Sequence, residues 1–260
     1  MVKMKYKHGS FAVKNVNKKA CFVVDGNIGA GKSTFLRMLQ QQLDVHVVYE
    51  PCDKWQKVVG DENLLENFYR DTPRWAYTFQ SYAFITRVLE QEQHAYANAQ
   101  PIHVLERSVF SDRYCFAKNC HEMGLMSTLE WKLYQEWFNW LVDNYVQKPD
   151  GFIYLRVDPK VCHERLVKRN RQEETGVAYD YLKKLHDKHE DWLVNKIDVA
   201  PYIQNTPVLT LNCNEDFEHN SEELIRHIEQ VVNFVADLVP TVSSSALWAE
   251  NALSPDKQMR

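Results

Sequence analysis

The ten residues Asp25-Gly26-Asn27-Ile28-Gly29-Ala30-Gly31-Lys32-Ser33-Thr34 constrain the fold of this chain more than any other stretch. They follow the apolar run Cys21-Phe22-Val23-Val24 and precede a helical pattern with Phe35, Leu36, Leu39 and Leu43 on one side. Strand, glycine-rich loop and helix in that order are the setting in which G-x-x-x-x-G-K-[ST] cradles phosphate. Gly26, Gly29 and Gly31 lack a Cβ, so the backbone can turn tightly and aim successive N–H groups inward. The helix N-terminus adds partial positive charge at the same place. Lys32 would reach the β- and γ-phosphates, and the Ser33 hydroxyl would ligate Mg²⁺. Asn27, Ile28, Ala30 and Thr34 complete the loop. The expected ligand is ATP or another nucleoside triphosphate.

Bulk properties set wide bounds. A chain of 260 residues can bury a full core as one α/β domain, or at most two. The net charge of −4 gives no global electrostatic case for nucleic acid or a membrane surface. The six cysteines include no C-x-x-C pair, so they read as reduced thiols in an intracellular compartment. No apolar run approaches transmembrane length, and no secretory signal is visible. Six lysines precede residue 20 and no acidic residue precedes Asp25. Residues 1–20 therefore read as a flexible basic arm. A targeting segment is the other use of such a stretch, so a cytoplasmic location is expected and a mitochondrial one stays open. Residues 239–260 turn polar after Pro240 and read as a loosely attached tail.

In chain order, Val45–Tyr49 suits a second buried strand, ending at Glu50-Pro51, where proline blocks helical continuation. Asp71-Thr72-Pro73 starts a helix running towards Ala99. Pro101–Leu105 is a further apolar run, closed by Glu106-Arg107-Ser108. Ser127-Thr128-Leu129-Glu130 is a capping box that opens a tryptophan-rich helix towards Val146. Phe152–Val157 reads as a strand, Asp158-Pro159 as a helix start, Pro207–Leu211 as the last strand and Ser221–Leu238 as a closing amphipathic helix. Five short apolar strands separated by helices predict an α/β fold with a parallel sheet covered on both faces. Functional groups should then gather at the carboxyl ends of the strands. The phosphate loop, Glu50 and Glu106-Arg107 each follow a predicted strand.

Three clusters accompany the loop: Glu50-Pro51-Cys52-Asp53-Lys54-Trp55, the stretch Leu105-Glu106-Arg107-Ser108 running on to Asp112-Arg113-Tyr114, and Arg165-x-x-x-Arg169-x-Arg171-Gln172-Glu173-Glu174. With Phe79-Gln80-Ser81-Tyr82, they resemble the deoxynucleoside kinase family in matching order from about Cys21 to Leu238. The members that accept deoxycytidine or deoxyguanosine are the nearest in pattern. The resemblance implies a P-loop kinase fold, with residues 21–238 as the kinase domain and an arginine-rich lid. A nucleoside 5′-hydroxyl needs a proton acceptor, and Glu50 at a strand end facing the loop is the candidate general base. By itself it could equally be a surface carboxylate in a turn.

The resemblance further assigns Glu106 to the metal, and Arg107 to the 5′-oxygen and the catalytic carboxylate. It makes Arg165, Arg169 and Arg171 a lid over the triphosphate, where loss of a transition-state arginine costs roughly 10³–10⁵ in rate. It also implies that Phe79 and Phe116 sandwich the acceptor base, that Ile28 and Trp55 close its edges, that Gln80 pairs with it, and that Tyr69 and Glu174 hold the 3′-hydroxyl. Glu215, Asp216 and Phe217 would sit against the donor base. Arg87 and Asp112 stand where cytosine- and purine-accepting members carry an arginine–aspartate pair. Asp112 can accept from an exocyclic amine, and Arg87 fills the space of a 5-methyl group. The expected acceptors are therefore deoxycytidine, deoxyadenosine or deoxyguanosine, with thymidine poor. Asp25 stands for a usual glutamate and Phe110 for a frequent tyrosine. Ala83 leaves room for a purine, whereas Phe84 is bulky.

Two decoys are set aside. Asn195-Lys196-Ile197-Asp198 imitates a guanine-reading motif but follows a helical pattern rather than a strand. His186, His189 and Glu190 lack H-E-x-x-H spacing. Two other functions stay in view: a kinase acting on nucleoside monophosphates, and a non-catalytic accessory subunit. Trp131, Trp137 and Trp140 give the 127–146 helix more aromatic surface than one core face needs, and the family dimerises in this region, so a homodimer is expected.

Overall fold

The computed structural model describes residues 19–249, except 59, 61, 98, 99 and 241 and the side chains of 95–97. Residues 1–18 of the expected basic arm and 250–260 of the expected tail lie outside the described residues. Five strands form one parallel sheet: β1 (Ala20–Asp25), β2 (His46–Val48), β3 (Ile102–Glu106), β4 (Gly151–Arg156) and β5 (Val208–Asn212). Their spatial order is β2-β3-β1-β4-β5. β1 pairs with β3 through Val23 opposite Leu105, and with β4 through Val23 opposite Phe152. The chain order reverses at β1, which places the crevice for ligands at its carboxyl end.

Helices cover both faces. α1 (Lys32–Gln42) buries Phe35, Leu36 and Leu39 against one face of the sheet. Burying each such side chain stabilises the fold by roughly 1.5–3 kcal/mol. Short α2 (Cys52–Gln56) and α3 (Leu64–Arg70), which the periodicity of so few residues did not announce, lead into the long α4 (Thr72–Ala97). α5 (Val109–Ser111) runs through π-helical turns at Asp112–Ala117 into α6 (Lys118–Glu122). Widened turns of this kind collect at functional sites because they re-aim side chains. α7 (Thr128–Asn144) begins with the predicted capping box, Ser127 and Glu130 satisfying each other's backbone N–H groups. α8 (Pro159–Arg169), α9 (Tyr179–His189), α10 (Pro201–Gln204) and α11 (Ser221–Leu238) complete the layers.

Two hydrophobic clusters, one on each face, hold the layers to the sheet. The carboxyl-terminal segment departs from the loose tail expected for it. Asp44 donates to the Leu247 carbonyl at 2.9 Å, Ala249 to that of Gln42 at 2.8 Å, and the Leu247 side chain is buried. Polar composition suggested detachment, but one leucine with two backbone bonds suffices to fasten the strap beside α1. Among the described residues no helix is long and apolar enough to cross a membrane.

Candidate active site

The loop between β1 and α1 is shaped by backbone conformations open to glycine. Gly31, the N-cap of α1, lies at φ 89°, and Gly29 at φ 79°. A Cβ on Gly29 would fall 2.3 Å from the Cys162 carbonyl oxygen, so α8 itself excludes any side chain there. The buried Lys32 ammonium bends back over the loop and donates to the carbonyls of Gly26 (3.1 Å) and Asn27 (2.8 Å). Burial and the neighbouring Arg107 charge push its pKa down to about 8. The Ser33 hydroxyl donates to Glu106 Oε1 at 2.6 Å. A hydroxyl and a carboxylate side by side at the loop are hard oxygen donors suited to Mg²⁺, which characteristically completes its shell with water and phosphate oxygens.

Across the crevice, four charged side chains from four elements form one network. Arg107 follows β3 and sits at φ 59°, a left-handed conformation that costs a non-glycine residue roughly 1–2 kcal/mol. Its backbone N–H is held by the Val24 carbonyl at 2.9 Å, and its guanidinium donates to both oxygens of Glu50, at 3.1 and 2.9 Å. Arg87 on α4 donates to Asp112 at 2.9 and 3.1 Å and to Glu50 Oε1 at 2.8 Å. Burial works to raise the Glu50 pKa, but the Arg107 and Arg87 charges outweigh it and hold the carboxyl well below the usual carboxylate range. Strain and buried charge persist here because the network over-determines both.

These groups line a cavity of about 390 Å³ that is continuous with the phosphate loop. Ile28, Trp55, Tyr69, Phe79, Gln80, Phe116 and Glu174, all singled out in the sequence, are also in its wall. Phe79 is stacked on Phe68 at 4.6 Å between ring centres, and Phe116 carries the Arg107 guanidinium 4.7 Å from its centre. The Gln80 amide nitrogen is buried without a protein partner, an orphaned donor of the kind a bound base would satisfy. Burial and the Glu174 charge raise the Tyr69 phenol above its ordinary value.

The three arginines expected over the triphosphate do not converge on one point. Arg165 Nη2 donates to the carbonyls of Asn214 (3.1 Å) and Glu215 (3.0 Å), while its Nη1 is buried without a partner. Arg169 and Arg171 both grip the buried Glu174. A second cavity, lined by Gly31, Thr34, Arg165, Arg169, Asp216 and Phe217, adjoins the loop on the other side. Arg165, Asp216 and Phe217 thus meet around one space next to the phosphate cradle.

Residues 22–235 match the family described as deoxynucleoside kinase. The chain belongs to the deoxynucleoside kinase family. It is therefore a phosphotransferase enzyme, with a nucleotide as phosphate donor. The chain is 39% identical to deoxycytidine kinase of Mus musculus over 235 residues, covering 81% of this chain and 90% of that one. It is also 39% identical to a mitochondrial deoxyguanosine kinase of Xenopus laevis over 243 residues, covering 83% and 89%. Identity to the Homo sapiens deoxycytidine kinase is 37%, with 81% and 90% covered.

Some lining residues of this family member carry no signal in the sequence. Tyr181 and Phe68 line the cavity from α9 and α3. Phe68 sits on the seven-residue α3, too short for periodicity to single it out. The bond from Arg87 to Glu50 joins residues 37 positions apart on separate elements, and nothing local announces it.

Proposed function

We propose that the chain transfers the γ-phosphoryl group of ATP, or another nucleoside triphosphate, to the 5′-hydroxyl of deoxycytidine, deoxyadenosine or deoxyguanosine, and uses thymidine poorly. The observation that carries this reading is the Glu50–Arg107–Arg87–Asp112 network in the wall of a cavity that opens onto the phosphate loop. Glu50, kept ionised by its two guanidinium partners, accepts the 5′-hydroxyl proton. Arg107 orients that carboxylate and faces the entering oxygen. Lys32 and the loop N–H groups hold the donor phosphates, and Arg165, Arg169 and Arg171 close over them as a lid. Such a reaction depends mainly on positioning and charge neutralisation, because its transition state is loose. Ser33 and Glu106 would hold Mg²⁺, which neutralises charge on the donor phosphates when bound.

Asp112 accepts from the exocyclic amine of the acceptor base, Gln80 pairs beside it, and Arg87 occupies the volume a 5-methyl group needs. Tyr69 and Glu174 hold the 3′-hydroxyl. Incubation with ATP, Mg²⁺ and each of these deoxynucleosides should give the 5′-monophosphate, and Glu50→Gln should slow it by roughly 10²–10⁴. An unchanged rate in that variant would remove Glu50 from the reaction.

A second copy of the chain is the proposed cover for an apolar surface on α4 and α7. Trp137 is 55% exposed and Trp140 49%, next to Leu129 and Leu133 on α7 and with Ile85 and Leu89 on α4. Contiguous exposed apolar surface of this kind marks interaction sites, and a two-fold dimer is the commonest way of closing one. Light scattering should give a dimer mass that Trp140→Glu lowers, and a monomer in the unaltered protein would contradict it.

A further inference from the structure

A buried polar cluster outside the reacting groups lies beneath the phosphate loop. Asp25 closes β1 and is fully buried. Its Oδ1 accepts from the Gly26 N–H at 2.8 Å, and its Oδ2 accepts from the Ser111 hydroxyl. His189, at the end of α9 and equally buried, brings Nε2 to 3.3 Å from Oδ1. The other ring nitrogen, Nδ1, lies 2.6 Å from the Leu185 carbonyl. Tyr154 on β4 stacks parallel to the imidazole, with 4° between the ring planes.

Hydrogen-bond inventory constrains where the protons can sit. The Leu185 carbonyl can only accept, so Nδ1 carries a proton. Ser111 Oγ already accepts from the Ser108 N–H at 3.0 Å, which directs its own proton to Asp25. Asp25 thus accepts from Gly26 and from Ser111, as an ionised carboxylate does. A bare Nε2 lone pair would be repelled by an ionised Asp25, whereas an Nε2 proton would give that carboxylate a third donor.

We propose that His189 is a positioning residue of the transfer site, an imidazolium paired with Asp25 that clamps three elements together. Through Asp25 it holds the phosphate loop at Gly26. Through Ser111 it holds the helical turn between Arg107 and Asp112. Through its own helix it holds the segment that follows the arginine lid, and a second tie, from Asn27 Nδ2 to the Leu182 carbonyl at 2.8 Å, joins the same helix to the loop. The donor cradle and the acceptor groups are thereby fixed at one separation. Without the cation, Asp25 would be a buried carboxylate left only to the more distant charges of Arg107 and Lys32.

This rests on reading the cavity as a phosphoryl-transfer site, and two readouts separate the failures. In the unaltered protein, nitrogen-15 NMR of the imidazole that contacts Tyr154 should show both ring nitrogens protonated at neutral pH. A neutral ring with an unprotonated Nε2 would overturn the proposal, whether or not any variant folds. In steady state, His189→Gln should lower kcat roughly 10–100-fold, as small misplacements of reacting groups do. Its acceptor KM should stay within about 2-fold, since no group that binds acceptor is removed. Adding Asp25→Asn should restore part of kcat, because it removes the uncompensated charge. A His189→Gln enzyme with unchanged kcat would also overturn the clamp. An unaltered protein that phosphorylates no deoxynucleoside would instead sink the proposed function, with the ring signature still deciding the state of His189.

Discussion

The two sides of the crevice, proposed above as donor and acceptor halves, are built in opposite ways. The donor half is backbone: ten consecutive residues, with left-handed glycines and amides at the start of α1, and Lys32 capped by two of the loop's own carbonyls. The acceptor half is side chain: Glu50, Arg87, Arg107 and Asp112 come from four separate places and neutralise one another. A backbone cradle is generic for polyphosphate and tolerates little change in covalent shape. A side-chain network is specific and tolerates little change in charge. The two halves should therefore fail differently.

The largest expected effect is on the charged half. Arg107→Ala should lower kcat by roughly 10³–10⁵, the cost of losing a phosphoryl-transfer arginine, with folding retained. Arg107→Lys should recover little, because one ammonium cannot replace two guanidinium nitrogens of which Nη1 holds Glu50 and Nη2 the Gly26 carbonyl at 3.2 Å. Full activity in the lysine variant would break the contrast. Gly29→Ala should act on the shaped half instead. Its left-handed backbone and the 2.3 Å approach to the Cys162 carbonyl predict a loss of stability of at least about 2 kcal/mol in urea unfolding. The donor KM should rise with it, and an unfolding midpoint equal to that of the unaltered protein would contradict the tight fit.

A smaller effect concerns the β2–β3 pair, whose carboxyl ends carry Glu50 and Glu106. Burial pushes the His103 imidazole down to about 4, with Lys19 adding to the shift. Above the unfolded value near 6.5 both states are neutral and the group contributes nothing. As pH falls below that value the unfolded chain takes up a proton that the folded one refuses, so stability is lost until pH reaches about 4. Between pH 6.5 and 5 the loss should be about 1.5 kcal/mol, read from urea midpoints. His103→Asn should flatten that slope, and an unchanged slope would assign it elsewhere.

The same contrast explains what was legible in the sequence. The donor loop is local, so its motif, strand and helix could be read from one window, and the five strands lie within a residue or two of their expected places. α2 and α3 are too short for periodicity to register. The residues proposed for the acceptor side were reached through the family pattern, since spacing alone does not bring Glu50, Arg87 and Asp112 together. The double duty of Arg87 and the pairing of Asp25 with His189, 164 positions apart, exist only in the fold. Composition misjudged the strap at 242–249, because a few well-placed contacts outweigh a polar average.

The account stands most directly on acceptor choice. Values of kcat/KM should be measured for the four deoxynucleosides with ATP and Mg²⁺, in the unaltered protein and in Arg87→Met/Asp112→Ala. Deoxycytidine, deoxyadenosine or deoxyguanosine should lead in the unaltered protein, with thymidine behind by roughly 10² or more, because buried polar partners reject a base that leaves them unpaired. The double variant should narrow that gap by admitting thymidine. Thymidine as the best acceptor of the unaltered protein would contradict the account.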